Sequence, residues 1–232
     1  MEFEMKPTKR NGVNFDARFF SKEVKKGRQF SAEETFRFIY RHSFWSKGQS
    51  ISGDGSTVSQ TEEIRQQLPF LIKKVGIRSI LDIPCGDFHW MKTVEMGSVH
   101  YTGADIVDEL IRQNNHQYAD DSRTFVKLDV IRDPLPMADL VFCRDCFVHL
   151  SNGDITKALE NIRRSKSVYL LTTTFPACME NEEIVTGDWR IINLQKDPFN
   201  LPEPLWLLNE KCTEGEHTYS DKSLGLWKIS DL

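Results

Sequence analysis

The stretch Ile80-Leu81-Asp82-Ile83-Pro84-Cys85-Gly86-Asp87-Phe88 constrains the fold more than any other part of the chain. An apolar run ends in an acid, turns through Pro-Cys-Gly, and then reads as the opening of a helix over 87–95. Strand, tight turn and helix start place backbone N–H groups and one carboxylate at the carboxyl edge of a sheet. Open α/β folds bind small molecules there. A second acid, Asp105, closes the next apolar run, Val99-His100-Tyr101-Thr102-Gly103-Ala104. The separation suits a β-α-β unit whose second strand presents a carboxylate to ribose hydroxyls.

The same alternation continues. Strands are expected at 80–83, 101–105, 124–128, 140–143 and 168–172, with helices at 87–95, 107–118 and 154–164. Strands alternating with helices imply a parallel sheet covered on both faces. The link between 128 and 140 holds Pro134 and Pro136 and is too short for a full helix. Residues 205–210 and 224–229 read as a closing antiparallel pair. Upstream, Ser31-Ala32-Glu33-Glu34 is a capping box opening a helix with Phe36, Ile39 and Tyr40. A Gly/Ser-rich loop, 48–57, precedes a helix over 59–75 in which Pro69 predicts a kink or a break. The loop is rich in N–H donors and hydroxyls. It suits either an anion cover or a flexible linker.

These motifs resemble the class I S-adenosylmethionine (SAM)-dependent methyltransferases. Leu81-Asp82-Ile83-Pro84-Cys85-Gly86 is similar to their first motif and Gly103-Ala104-Asp105-Ile106 to their ribose-binding motif. The likeness runs on through Leu128-Asp129-Val130, Ala138–Asp145 and Tyr169–Thr172. Two departures stand out: Pro84 replaces the first glycine of the turn and Phe88 the last. Phe88 falls where a glycine permits close helix–strand approach. The resemblance implies a seven-stranded, mostly parallel, doubly wound Rossmann-like sheet with the last strand antiparallel, here with an N-terminal helical extension. It divides the chain into an arm and helical extension, 1–58, and a SAM-binding domain, 59–232, with a lid-like insertion near 177–204.

It also implies where SAM sits. Asp105 would take the ribose diol and Asp82 the ammonium, directly or through water. Pro84, Cys85 and Gly86 would bring backbone N–H groups to the methionine portion. Asp129 and Val130 would read the adenine edge, and Ile106 would cover one ring face. Each acid has a plain structural alternative. Asp105 could cap the following helix, Asp82 could organise the turn, and Asp129 could sit in a solvated turn.

Acceptor groups are expected past the fourth and fifth strands. Asp145 and His149 share a face if they form a helical turn, and a carboxylate beside an imidazole orients it as a general base. The alternative is a histidine that only packs. Arg144 is read as a contact to cofactor or anionic acceptor. Thr174 ends the fifth strand, and Trp189 and Arg190 lie in the irregular segment as substrate contacts. No metal is expected.

Composition narrows the partners. The net charge of -4 gives no support for nucleic acid. No apolar run approaches the length that spans a bilayer. Glu2-Phe3-Glu4 stands where a signal peptide would need an apolar core, and five cysteines are then expected as reduced thiols in the cytoplasm. Cys143-x-x-Cys146 reads as structural, with no second pair at finger spacing. The leading expectation is a methyltransferase acting on a small-molecule or carbohydrate acceptor. Oxygen is favoured because Cys143-Arg144-Asp145-Cys146 stands where an Asn-Pro-Pro-Tyr-like segment would mark nitrogen methylation. Monomer and homodimer are both compatible. The alternatives are a non-catalytic module of the same fold, and a nicotinamide dehydrogenase, which the missing Gly-x-Gly-x-x-Gly argues against.

Overall fold

A computed structural model describes Val13, residues 15–45 and residues 48–232. The basic residues Lys6, Lys9 and Arg10 and the Ser46-Lys47 pair lie outside the described residues. Seven strands form one sheet in the order β3-β2-β1-β4-β5-β7-β6. They are β1 (Ser79–Asp82), β2 (His100–Asp105), β3 (Arg123–Lys127), β4 (Leu140–Cys143), β5 (Tyr169–Thr174), β6 (Trp206–Asn209) and β7 (Ser223–Lys228). The first five pair in parallel, and β7 runs antiparallel to both β5 and β6. The strand order reverses between β1 and β4, which is where such sheets open a crevice.

The expected strands appear within a residue or two of their predicted bounds. β4 is buried at all four positions, as a central parallel strand covered on both faces must be. The helices are α1 (Phe19–Lys25), α2 (Ala32–Arg41), α3 (Glu62–Val75), α4 (Asp108–Tyr118) and α5 (Asn152–Arg164). The capping box at Ser31 and Glu34 forms as read. Pro69 sits inside α3 without ending it. Ser151 caps α5 by accepting the Asp154 N–H.

The expected helix over 87–95 does not form. Turns and a short 3-10 helix, Met91–Thr93, occupy that stretch. Phe88 is the reason. Its backbone is left-handed, with φ 55°, and its ring is buried against Tyr101, Tyr118 and Phe125. A bulky residue in that region is strained and does not propagate a right-handed helix. The aromatic ring fills the volume a first helix would cover, so the glycine that would let a helix approach is not needed.

The N-terminal segment folds back over the sheet's carboxyl edge. Arg41 pairs with Glu109 of α4, and Lys127 with Glu33 of α2. Asp188 caps α1 from across the molecule, accepting the N–H groups of Phe20 and Ser21 and the Ser21 hydroxyl. Gly187, at φ 107°, brings the backbone against α1 and α2. A Cβ there would lie 2.4 Å from Thr35 Cγ2 and 2.6 Å from Phe20 Cδ2.

Candidate active site

A cavity of about 260 Å³ opens at the carboxyl ends of β1, β2 and β4. Its floor is the turn 82–87 with Asp105–Val107, Asp129–Ile131 and Arg144–Cys146. Its roof comes from the N-terminal segment: Val13, Phe15, Phe36, Tyr40, Trp45 and the 51–56 loop. The Gly/Ser-rich stretch is therefore a wall and not a linker. Asp87 holds it there. Its carboxylate accepts the Ser50 hydroxyl at 2.9 Å and the Ile51 N–H at 3.0 Å, and its own N–H donates to Ser52 Oγ at 3.2 Å.

Three acids predicted to meet a ligand line this cavity, each at or just past a strand end. Asp105 is buried, and burial raises its pKa to about 6. Its oxygens accept the Val107 N–H at 2.9 Å and the Gly86 N–H at 3.1 Å, so each keeps a second acceptor site. Asp82 is raised further, to about 8, by burial and by the Asp105 charge, with only the Tyr101 hydroxyl donating to it. Asp129 accepts the Ile131 N–H at 2.8 Å and is raised by burial. Gly86 has φ 55°, and a Cβ there would lie 2.2 Å from Ser52 Oγ. That leaves bare backbone between the turn and the roof. Asn114 fixes the turn by donating to the Gly86 carbonyl at 2.8 Å.

The acceptor-side expectations need correction. Arg144 is not a free contact. It pairs with Glu210 at 2.7 Å and Asp145 at 3.2 Å and donates to the Gly55 carbonyl at 3.0 Å. Lys222 completes this buried network by pairing with Asp145 at 2.7 Å and Glu210 at 3.6 Å. Against the cost of burial, Arg144 and Lys222 hold the Asp145 carboxyl well below its ordinary value. Asp145 is left-handed at φ 52°, so it and His149 do not share a helical face. The His149 ring is instead oriented by the Asp188 carbonyl, 3.1 Å from Nδ1, and by stacking on Trp45 with centroids 4.1 Å apart. Burial lowers its pKa to about 4, which keeps the imidazole neutral.

Thr174 and Arg190 lie outside the cavity. Thr174 Oγ1 accepts the Leu194 N–H. Arg190 is a strut that donates to the carbonyls of Phe147 and Leu150 and to Asn152, tying 177–204 to the turn after β4. Asn193 and Asn181 stitch the same segment internally. Trp189 does line the cavity, edge-on to Tyr219. Cys143 and Cys146 are buried free thiols. Asp87, Lys222, Glu210 and Glu214 escaped the sequence reading. The available signal was a Lys and a Glu at the base of an apolar hairpin, where neither charge belongs unless paired.

This strand order, with a ligand-sized crevice at the reversal point and acids ending β1 and β2, matches known folds. Residues 80–166 match the family model described as a methyltransferase domain. The fold is that of the Rossmann-like methyltransferases. Among solved structures, human N-acetylserotonin methyltransferase in complex with SAM is similar, with TM-score 0.53 and 15% identity over 90% of this chain and 64% of that one. PigF with SAH aligns at TM-score 0.55 and 15% identity over 90% of this chain and 65% of that one. The methyltransferase domain of bacterial CtHen1 aligns at 0.53 and 9% identity, over 74% of this chain and all of that one. The chain thus spans just under two thirds of the first two proteins. At these identities the likeness is one of fold. No curated protein sequence matches this chain. Among the described residues no helix is long and apolar enough to cross a membrane.

Proposed function

We propose that this chain is a SAM-dependent methyltransferase acting on an oxygen of a small-molecule or sugar-like acceptor. The observation that carries this reading is Asp105. It is a buried carboxylate, facing the cavity from the end of β2, with acceptor capacity left on both oxygens. A ribose diol supplies two donors to such a group, and a hydrogen bond to a charged group contributes about 1.5–3 kcal/mol. The residues present fit the rest of the cofactor as well. Asp82 is raised by burial and by the Asp105 charge beyond what Arg144 offsets, and an ammonium would favour its ionised form. The bare backbone at Gly86 accepts a ligand without a Cβ in the way. Asp129 and Val130 line the cavity past β3, where the adenine edge would meet them.

When bound, SAM supplies a methyl group on a sulfonium, which departs as a neutral thioether. The protein's part is alignment and proton removal. His149 offers Nε2 to the acceptor proton, because Nδ1 is engaged by the Asp188 carbonyl. A base with pKa near 4 suffices here. An acceptor hydroxyl becomes strongly acidic as its oxygen gains a methyl group, so the proton leaves downhill late in the step. Trp45 and Trp189 give the acceptor apolar faces. Cys85, Cys143, Cys146 and Cys212 are buried free thiols, which suits a cytoplasmic protein.

The test is titration of the purified protein with S-adenosylhomocysteine (SAH), followed by the same titration of Asp105→Ala. Binding that disappears in a folded variant supports the reading. A folded wild-type protein that binds neither SAM nor SAH overturns it.

A further inference from the structure

The cavity carries more negative charge than its own cations neutralise. Among the described residues Arg144 and Lys222 are the Arg and Lys side chains that line it, and both pair with Asp145 and Glu210. His149 is neutral. Besides Asp54, five further carboxyl groups line the same space: Asp82, which burial keeps protonated near neutral pH, and Asp87, Asp105, Asp129 and Glu214. Among the described residues none of these five makes a direct ion pair, and Glu214 only shares the field of Arg144 and Lys222 with Asp145 and Glu210. Asp105 is 5% exposed, so solvent screens its charge poorly. Trp45, Trp90, Trp189 and Tyr219 add aromatic faces, which attract cations rather than anions.

We infer that this cavity selects its cofactor by charge, binding the sulfonium form in preference to the thioether product, with Glu214 as a specificity-determining residue. The inference rests on the SAM reading above and deepens it. SAM carries a sulfonium, an ammonium and a carboxylate, for a net charge of about +1. Its product keeps only the last two and is neutral overall. Methyl transfer therefore removes one positive charge from a pocket whose carboxylates remain. At an effective dielectric of about 20, one uncompensated carboxylate about 10 Å from the lost charge changes affinity by about tenfold. The product then leaves a site that no longer favours it. Glu214 is the acid best suited to a test. Its carboxylate would lie 3.0 Å from a Cβ at Gly55 in the roof, and the Cys212 thiol donates to it at 3.6 Å. Asp87 and Asp105, by contrast, also hold backbone in place.

Calorimetric titration with three probes reads the effect: SAM, SAH, and sinefungin, in which an amine-bearing carbon replaces the sulfonium and restores the positive charge. The expected order is SAM and sinefungin together, with SAH weaker by about tenfold. In Glu214→Gln, SAM affinity should fall several-fold while SAH affinity holds, so the ratio narrows. SAH binding as tightly as SAM in the wild-type protein overturns the inference and leaves the methyltransferase reading standing. Sinefungin tracking SAH also overturns it, because the preference would then follow the methyl group and not the charge. An unchanged ratio in Glu214→Gln removes that residue's role. Failure of all three probes to bind overturns both readings.

Discussion

Replacing Asp82 by asparagine should make the empty protein more stable at neutral pH. The amide keeps the shape and still accepts the Tyr101 hydroxyl, but carries no charge to bury. Burial raises the Asp82 pKa from 3.8 to about 8, so the folded state holds a proton that the unfolded chain releases. The stabilising effect of that proton is complete below about pH 4 and is lost as pH rises toward 8. Between pH 5 and pH 7 the unfolded carboxyl is ionised and the folded one is not. Two pH units at about 1.4 kcal/mol each give a loss of about 2.8 kcal/mol in the wild type relative to the variant. Urea denaturation of both proteins at pH 5, 6 and 7 measures this. Asp105 and His149 titrate in both proteins, so the difference curve reports chiefly Asp82. Two curves that run parallel would show that Asp82 is ionised throughout, and the case for an ammonium as its missing partner would fail.

Other consequences follow from the same geometry. Gly86→Ala should abolish SAH binding, since the new Cβ meets Ser52 Oγ in a left-handed backbone; retained affinity in calorimetry would show that the roof yields. Glu210→Ala leaves Arg144 and Lys222 buried with one carboxylate between them and should cost about 3–5 kcal/mol in denaturant unfolding. Asp188→Ala uncaps α1 and should cost about 1–2 kcal/mol, with faster protease cleavage near residue 19 as the accompanying sign. His149→Ala should lower turnover with a true acceptor far more than SAH affinity, and equal losses in both would make it a packing residue.

The sheet was legible because each central strand is a short apolar run that stops at an acid or at a turn. Asp82 and Asp105 could be assigned to the cavity for the same reason: a carboxylate directly after a buried run has only the sheet edge to occupy. The helix expected after β1 failed on one residue, Phe88, whose ring takes the helix's place against Tyr101 and Phe125. Arg144 looked like an unpaired contact because its partner, Glu210, lies far along the chain and joins it only when β7 inserts between β5 and β6. The roof was half legible. The loop with Ser50 and Ser52 suited either an anion cover or a linker, and what decides for a wall is Asp87, which accepts their hydroxyls. Arg190, adjacent to a tryptophan in an irregular segment, looked like substrate chemistry and is a strut, since a guanidinium satisfies several stranded carbonyls at once.

The roof has a consequence for anyone dissecting the chain. Residues 80–166 match the family, yet the pocket is closed by side chains drawn from before residue 57 and after residue 188. A fragment trimmed to the matched core would keep the acids and lose the enclosure that makes them unusual. A ligand in this cavity would touch segments from both sides of the matched core, 13–56 and 189–222, and act as a removable staple between them. Its affinity is then a report on whether those segments are docked.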